Sequence, residues 1–595
     1  MTSIRKLLSY SAYLMSICIM MFIFADNASA QKRGEVSESF EGEGTKNSPY
    51  LIKSAADLRK LSDDVENGMT YRNEYFKITN DIVVNRNVLN ADGSLNESKR
   101  NNFEQWKPIG TEKTHFMGNL YGGNHSIYGL YIYIEDDYYD EYGDLVESDN
   151  SPIGLFGYFT GYLGNLIIKD SYFRGKRQAG SFIGYADRMK VNDVYYDATI
   201  SNCVNYATVT SATCGGIIGR AEYNFSISRC ANFGSIQGTI AAGGIVGDAA
   251  YGLGGNEIID CYNNGPVKAR EAGGITARFW GVSSSALMYN CVNHSTIEGL
   301  DEGQQGGGAA AGISHYASKV SFKGCVNYGK IIGNKIGGIT EEEFSQCNYE
   351  TCAILESSVV GATGSGSVRV MTKNEMKQEE FLQSLNNCAK QLGQNFSKWK
   401  FGSDGFPTLE WITDEMLNPE PSLSGDGTLE YPYSATDALT ITKKMAADQK
   451  SESRYYIQGK ISSIKYTFNQ QYGTATFNIS DNGSTSEPQF TIYATYYLSN
   501  RPWVNGDTQI KIGDEVIVYG KIVNYKGTIP ETAEKDSYIY TLNGVDNTRI
   551  DLVKTEKHKN VVYNLNGQTI RLNASTPEHL LKGVYIVNGK KVVVK

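Results

Sequence analysis

Five Cys-Xaa-Asn phrases recur at near-regular intervals in the middle of this chain: Cys203-Val204-Asn205-Tyr206, Cys230-Ala231-Asn232-Phe233, Cys261-Tyr262-Asn263-Asn264, Cys291-Val292-Asn293-His294 and Cys325-Val326-Asn327-Tyr328. They are separated by steps of 27, 31, 30 and 34 residues. A second phrase falls between them, as Gly215-Gly216-Ile217, Gly243-Gly244-Ile245, Gly273-Gly274-Ile275, Gly312-Ile313 and Gly337-Gly338-Ile339. Each unit holds short β-prone pieces divided by Gly and Asn, with no amphipathic helix between them. A unit this small cannot bury its own apolar face, so its Ile, Val and Cys side chains are covered only when copies stack above and below. The pattern therefore predicts a parallel β-helix. Its Gly pairs suit either corners that need positive φ or places where two backbones approach closely. Its Asn residues suit αL turns and, at a matching place in each coil, a ladder of amide hydrogen bonds.

The chain has 10 Cys, of which Cys18 lies in an apolar N-terminal run. Stacking in register would put successive Cys Cα atoms about 4.8 Å apart, inside the range a disulfide spans. Stacked side chains point in parallel, however, so Cys203, Cys230, Cys261, Cys291 and Cys325 are expected as a reduced, buried ladder of small hydrophobes. No short CxxC pair occurs. The six His (His115, His125, His294, His315, His558 and His579) form no HExxH pattern, and neither a GxSxG elbow nor a P-loop is present. No catalytic residue, metal or cofactor is expected, and His294, which replaces an aromatic in one repeat, reads as a coil-surface residue.

The N-terminus has the parts of a secretory signal: Arg5 and Lys6, an apolar run from Leu14 to Phe24, and Ala28-Ser29-Ala30 before Gln31. Export, with no transmembrane segment after signal removal, is the expectation. The formal net charge of −9 argues against a nucleic-acid partner for the whole chain, because phosphate contacts need Lys and Arg. With 63 Gly, 41 Tyr and only 12 Pro, the composition is that of many tight corners and much flat aromatic surface, unlike a disordered linker.

An ordered series of phrases surrounds the repeat: Thr45-Lys46-Asn47-Ser48-Pro49-Tyr50-Leu51-Ile52, Ala55-Ala56-Asp57-Leu58, Tyr75-Phe76-Lys77-Ile78-Thr79-Asn80-Asp81-Ile82, Trp106-Lys107-Pro108-Ile109-Gly110, Phe116-Met117-Gly118-Asn119-Leu120-Tyr121-Gly122-Gly123 and Gly154-Leu155-Phe156-Gly157. Ending near Gly405-Phe406-Pro407-Thr408-Leu409, the series resembles GLUG-type repeat domains over residues 45 to 410. The resemblance implies a right-handed parallel β-helix of the kind found in secreted bacterial surface proteins, including adhesins and non-catalytic parts of proteases. It implies no catalytic residues.

Thr372 and Glu375 have the spacing of a capping box and open a helix expected to close the end of the coil. Glu415 to Gly427 reads as a linker. Beyond it come a helix over Ala435 to Ala447 and strands near Tyr455–Ile464, Thr474–Ile479, Gln489–Ala494, Glu515–Val523 and Ser537–Leu542. Five strands in that space predict a small closed barrel. The phrases Gly459-Lys460-Ile461, Phe477-Asn478-Ile479-Ser480-Asp481 and Gly513-Asp514-Glu515-Val516 resemble an OB-fold module found in exported proteins of Bacteroidetes-type bacteria. Its candidate ligand platform is Tyr493, Tyr496, Tyr497, Trp503 and Tyr525; the competing assignment puts these rings in the barrel core. The tail from Val561 to Lys595 is similar to sorting domains of the type IX secretion route, with a hairpin turn at Asn588-Gly589.

The expected organisation is thus a signal peptide (1–30), linker (31–44), β-helix (45–365), its C-terminal cap (366–414), a linker (415–429), an OB-like domain (430–550) and a short β tail (551–595). The all-β chain is expected to be a non-enzymatic, adhesin-like binding or scaffold protein, secreted or at the bacterial cell surface, whose partner is a glycan or host surface protein. A β-helix carbohydrate-active enzyme and a passive stalk are the alternatives. The acidic stretch Glu135 to Asp144 lacks the spacing of a calcium loop and reads as a solvated insertion between coils.

Overall fold

The computed structural model describes residues 39–546, except 140–144, 147–148, 253–254, 282–285, 302–307, 359–367 and 420–422, together with strands between 562 and 594. The expected signal segment, 1–30, lies outside these residues. The chain divides into two compact units, Met1–Ser422 and Leu423–Lys595.

The first unit is a parallel β-helix. Its coils contribute strands in turn to three sheets, of 17, 11 and 7 strands. One coil runs through Phe225–Ser228 and Ala231–Asn232 in the first sheet, Ile236–Gly243 in the second and Val246–Gly252 in the third. Glu257–Ile259 then starts the next coil, parallel to Phe225–Ser228. The register stacks like on like: Val204, Ala231, Tyr262, Val292 and Val326 are successive partners, as are Asn205, Asn232, Asn263, Asn293 and Asn327.

The five Asn form a continuous ladder. Asn205 Nδ2 donates to Asn232 Oδ1 at 2.8 Å, Asn232 to Asn263 at 2.8 Å, Asn263 to Asn293 at 2.8 Å and Asn293 to Asn327 at 2.7 Å. Each Nδ2 also donates to the carbonyl two residues on, at Ala207, Gly234, Gly265, Ser295 and Gly329. Ile168 precedes the ladder and Ile354 follows it in register, so the row of amides is closed at both ends by aliphatic side chains.

The Gly pairs serve this ladder. None of Gly216, Gly244, Gly274 or Gly312 has positive φ. A methyl on any of them would overlap the carbonyl oxygen of the next coil and press on the side chain of Asn232, Asn263, Asn293 or Asn327 respectively. Close approach is therefore the reason for glycine here, and the left-handed corner lies elsewhere. It falls on the residue before each Cys: Asn202 (φ 52°), Arg229 (50°), Asp260 (54°), Asn290 (59°), Gly324 (62°) and Thr351 (54°). The repeat Asn residues are not in αL; they belong to the strands.

Cys203, Cys230, Cys261, Cys291 and Cys325 are fully buried, unpaired thiols in the core, and Cys352 joins them as a sixth. Each thiol donates to the carbonyl two residues back, as Cys261 Sγ does to Ile259 O at 3.3 Å. Burial pushes the Cys203, Cys261, Cys291 and Cys352 thiols well above the usual range, so they are inert core rather than nucleophiles.

A helix at Ala55–Glu66, capped by Ser54, buries Leu58, Leu61 and Val65 in the core beside the first coil. At the other end, Arg369–Met371 adds a rung beside Ala353–Leu355, and Thr372 and Glu375 form a reciprocal capping box. Beyond that rung the chain departs from the expectation of an end cap. Helix Glu379–Leu392 and the strands Trp399–Phe401 and Pro407–Leu409 lie along the side of the coil. Phe381, Leu385, Trp399 and Leu409 there share a core with Val204, Ala231, Tyr262, Val292 and Val326. The physical reason is the column of apolar residues between Cys and Asn, which faces outward and needs a cover.

In the second unit, Tyr455–Tyr466, Thr474–Ser480, Phe490–Tyr496, Glu515–Tyr525 and Ile529–Leu542 pair in the order third, second, first, fourth, fifth. Parallel pairing of the third and fifth strands closes the OB-like barrel. Its core holds Ile457, Ile461, Phe477, Phe490, Ile492, Val518 and Ile539. The helix is Ala435–Lys443, shorter than expected, with Asp437 completing its capping box and also accepting from Ser424 and Gly425. Residues 423–427 of the expected linker are thereby tied to the barrel. In the tail, Gly583–Val587 and Lys590–Val594 pair antiparallel with Val587 opposite Lys590; the expected Asn588-Gly589 turn lies outside the described residues.

Candidate functional site

The rings that follow Asn205, Asn232, Asn293 and Asn327, with Tyr262 from just before Asn263, pack from coil to coil. Tyr206 and Phe233 are 5.0 Å apart, Phe233 and Tyr262 5.9 Å, Tyr262 and His294 5.6 Å, and His294 and Tyr328 4.5 Å. This column is not open to a ligand, because the lateral segment covers it: Phe406 stacks on Tyr328 at 4.8 Å, and Tyr328 Oη donates to Pro407 O at 2.9 Å. His294 is accordingly buried rather than on the coil surface, and burial lowers its imidazole to about 4 against the opposing pull of Asp404.

The third sheet carries a different column on its outer side. Tyr158, Tyr185, Arg220, Asp248, Arg278, Tyr316 and Glu342 stand in register on successive coils. The charges alternate and pair along the stack. Arg220 is 3.4 Å and Arg278 3.9 Å from Asp248, Arg220 donates to Glu222 at 2.6 Å, and Arg278 donates to Glu271 at 2.7 Å. Tyr185 Oη donates to Glu222 at 2.7 Å. Burial raises the Asp248 carboxyl, and one of its oxygens is buried without a hydrogen-bond partner. Burial would also raise Glu271, but the hydrogen bond and charge of Arg278 hold it below its ordinary range.

Beside the upper end of this column is an aromatic stack on three consecutive coils. Trp280 and Tyr316 lie 4.4 Å apart at 27°, and Tyr316 and Phe344 6.2 Å apart at 30°. Phe344 is 72% exposed, which marks the open edge of a platform. His315, Glu341 and Glu342 lie next to it, with His315 Nε2 3.2 Å from Glu341. Flat rings beside paired charges can stack on the C–H face of a sugar ring while presenting hydrogen-bond partners to its hydroxyls. No phrase of the repeat announces this site, because its partners are a full coil apart in sequence and differ in type from rung to rung.

The remaining sequence-selected groups fall as follows. His115 is buried, with Nδ1 3.0 Å from Thr160 Oγ1 and its imidazole lowered by burial to about 4. His125 is 3.4 Å from Asp81, and His558 and His579 lie outside the described residues. Glu135, Asp136 and Asp137 pair with Arg100, Arg174 and Lys176 respectively, whereas 140–144 of the acidic stretch lie outside the described residues.

The barrel platform separates into two groups. Tyr497 is buried edge-on to Phe468 at 5.2 Å, and Trp503 packs against the same core. Tyr496 is half-buried at the strand that closes the barrel. Tyr493 is half-buried and Tyr525 exposed; burial first, then the charges of Glu534, Glu531, Tyr525 and Tyr466, raise the Tyr493 phenol. Tyr466 and Tyr472, which the sequence did not single out, are 61% and 66% exposed.

Glu531 beside Tyr493 is pushed up to about 7 by burial. A carboxyl whose folded value lies above its unfolded one stabilises fully below the unfolded value, here 4.5, and loses that contribution as pH rises through 7. Glu531→Gln is expected to flatten the fall in barrel melting temperature between about pH 5 and 8, measured in the intact protein by a fluorescence melt.

No family model matches the chain. Two curated proteins are similar over part of it. Halomucin of Haloquadratum walsbyi is 27% identical over 191 residues, 31% of this chain and 2% of that protein. A protein of Evansella cellulosilytica, provisionally named a Gly-rich membrane protein, is 28% identical over 174 residues, 29% of this chain and 16% of that one. The chain therefore spans only a small part of the curated relatives it matches. Among solved structures, a protein from Bacteroides ovatus provisionally named an immunoglobulin A1 protease is 19% identical with a TM-score of 0.37, covering 64% of this chain and 97% of that one. Among the described residues, no helix is long and apolar enough to cross a membrane.

Proposed function

We propose that this chain is an exported, non-enzymatic binding protein of the bacterial surface, adhesin-like, whose GLUG-type β-helix engages a glycan through the outer side of its third sheet. The OB-like barrel is an accessory binder through Tyr493, Tyr525 and Tyr466. The observation that carries this reading is the Trp280, Tyr316 and Phe344 stack, an aromatic column on three successive coils with Tyr316 buried in its middle and Phe344 open at its end, beside a charged column. The similarity to a halomucin and to a Gly-rich membrane protein supports an extracytoplasmic setting. The tail resembling type IX sorting domains is consistent with the same destination.

A glycan-array and mucin-binding screen with the intact protein tests this. Trp280→Ala is expected to weaken the strongest hit by about 2 kcal/mol, roughly 30-fold in Kd, as for a central aromatic anchor. Unchanged binding in that variant would remove the site from the proposal, and absence of any ligand would favour the passive stalk.

One observation favours a second reading, a polysaccharide-cleaving coil: Glu341 and Glu342 lie beside the platform. Against it, the carboxylates Asp248 and Glu271 are engaged by Arg220 and Arg278, which suits a binding surface more than a pair of proton-transfer groups. Release of reducing or unsaturated ends from any bound polysaccharide would replace the first reading with the second.

A further inference from the structure

We infer that His315, Glu341 and Glu342 form a binding site for a borderline divalent metal ion of the Zn²⁺ type. Successive coils bring these residues together: Ser314 pairs with Thr340 and Tyr316 with Glu342, which puts His315 and Glu341 opposite one another. One ligand atom from each of the three residues lies within 4.8 Å of the others. His315 Nε2 is 3.2 Å from Glu341 Oε2. Two donors on a tetrahedral zinc ion with bonds of about 2.0–2.1 Å stand about 3.3 Å apart, so this pair needs little adjustment. Glu342 is exposed, and its carboxylate stands within that 4.8 Å as the third ligand.

The imidazole presents its Nε2 to the carboxylates. His315 is 5% exposed, and its Nδ1 is buried with no hydrogen-bond partner among the described residues. The polar engagement that the described residues give the ring is therefore on the Nε2 side, toward the two carboxylates. One imidazole nitrogen with two carboxylate oxygens is a donor set suited to zinc and its neighbours rather than to calcium, which takes six to eight oxygens. Three protein ligands leave the fourth position of a tetrahedral ion open. The site stands on its own donors and does not require the glycan reading.

Titration of the metal-free intact protein with Zn²⁺ by calorimetry, and with Co²⁺ by visible absorption, tests the inference. One ion per chain and a tetrahedral Co²⁺ spectrum are expected. Glu342→Gln, at an exposed position that leaves the fold undisturbed, should weaken binding roughly tenfold or more, as should His315→Ala. His125→Ala, which removes the imidazole paired with Asp81, should change nothing. Equal affinity in the parent, the Glu342→Gln and the His315→Ala proteins would overturn the assignment, as would loss of binding in His125→Ala alone. Glycan binding measured with and without chelator then separates the two proposals: a metal site without glycan leaves this inference intact.

Discussion

Asn263→Ala is expected to destabilise the β-helix by about 3–5 kcal/mol, read as a lower denaturation midpoint of the first unit. Asn263 is an interior member of the ladder, and its removal takes a hydrogen bond from each of three buried groups. Asn232 Nδ2 loses its acceptor on the next coil and keeps Gly234 O, Asn293 Oδ1 loses one donor and keeps Ser295 N, and Gly265 O loses its side-chain donor. Each lost bond costs about 1 kcal/mol, and about 1–3 kcal/mol where a buried group is left unpaired. Asn327→Ala at the end of the row should cost less, because only Asn293 Nδ2 and Gly329 O lose a bond there. Asn263→Asp keeps the volume and reverses the polarity, setting an oxygen against Asn293 Oδ1. If this isosteric change is as mild as a surface substitution, the amide row does not hold the coils together.

The lateral segment is expected to loosen in acid. His294 is buried between Tyr262 and Tyr328 with its imidazole near 4, against 6.5 in an unfolded chain. Between those values the unfolded chain binds the extra proton. The contribution of this neutral ring is thus complete above about pH 6.5 and is lost as pH falls toward 4. At 1.36 kcal/mol per pH unit the loss reaches about 3 kcal/mol. His294→Phe, which restores the ring type that Phe233 supplies two steps away in the column, should remove that part of the acid sensitivity. It should also stabilise at neutral pH, because the unpartnered Nε2 disappears. Thermal melts of parent and variant from pH 7.5 to 4 decide the matter; parallel curves would mean that His294 protonates freely in the fold. His115 contributes a second loss over the same range, unaffected by this substitution.

The coil was legible because its periodicity is a direct consequence of stacking: a residue type that fits one rung fits the next. Cys352 escaped for the converse reason, since Cys352-Ala353-Ile354 keeps the core position but abandons the amide at the top of the ladder. The capping box at Thr372 was visible from local spacing, whereas the face on which the following helix docks was not. That choice is made by Val204, Ala231, Tyr262, Val292 and Val326, over a hundred and fifty residues away at the first of them. In the barrel, composition does not separate Tyr493 from Tyr497. Alternation along Phe490–Tyr496 does so for Tyr493, since Phe490 and Ile492 point inward and Tyr493 does not, but Tyr497 lies past the strand end. The proposed third-sheet site left no repeated signal because its residues differ in type from rung to rung, where the structural rungs repeat like residues.

Solenoids ordinarily fray: each turn holds only its neighbours, and the terminal turns peel away at small cost. The segment from Glu379 to Leu409 lies across the turns from Val204 to Val326 and bonds to several of them, through Asn290 to Ser397, Ser397 to Asp260 and Tyr328 to Pro407. Those turns are thereby bound like pages to a spine. Under a pulling load, or in a denaturant, they give way as one leaf-bundle rather than singly, and the platform they carry keeps its shape until the binding itself is torn off.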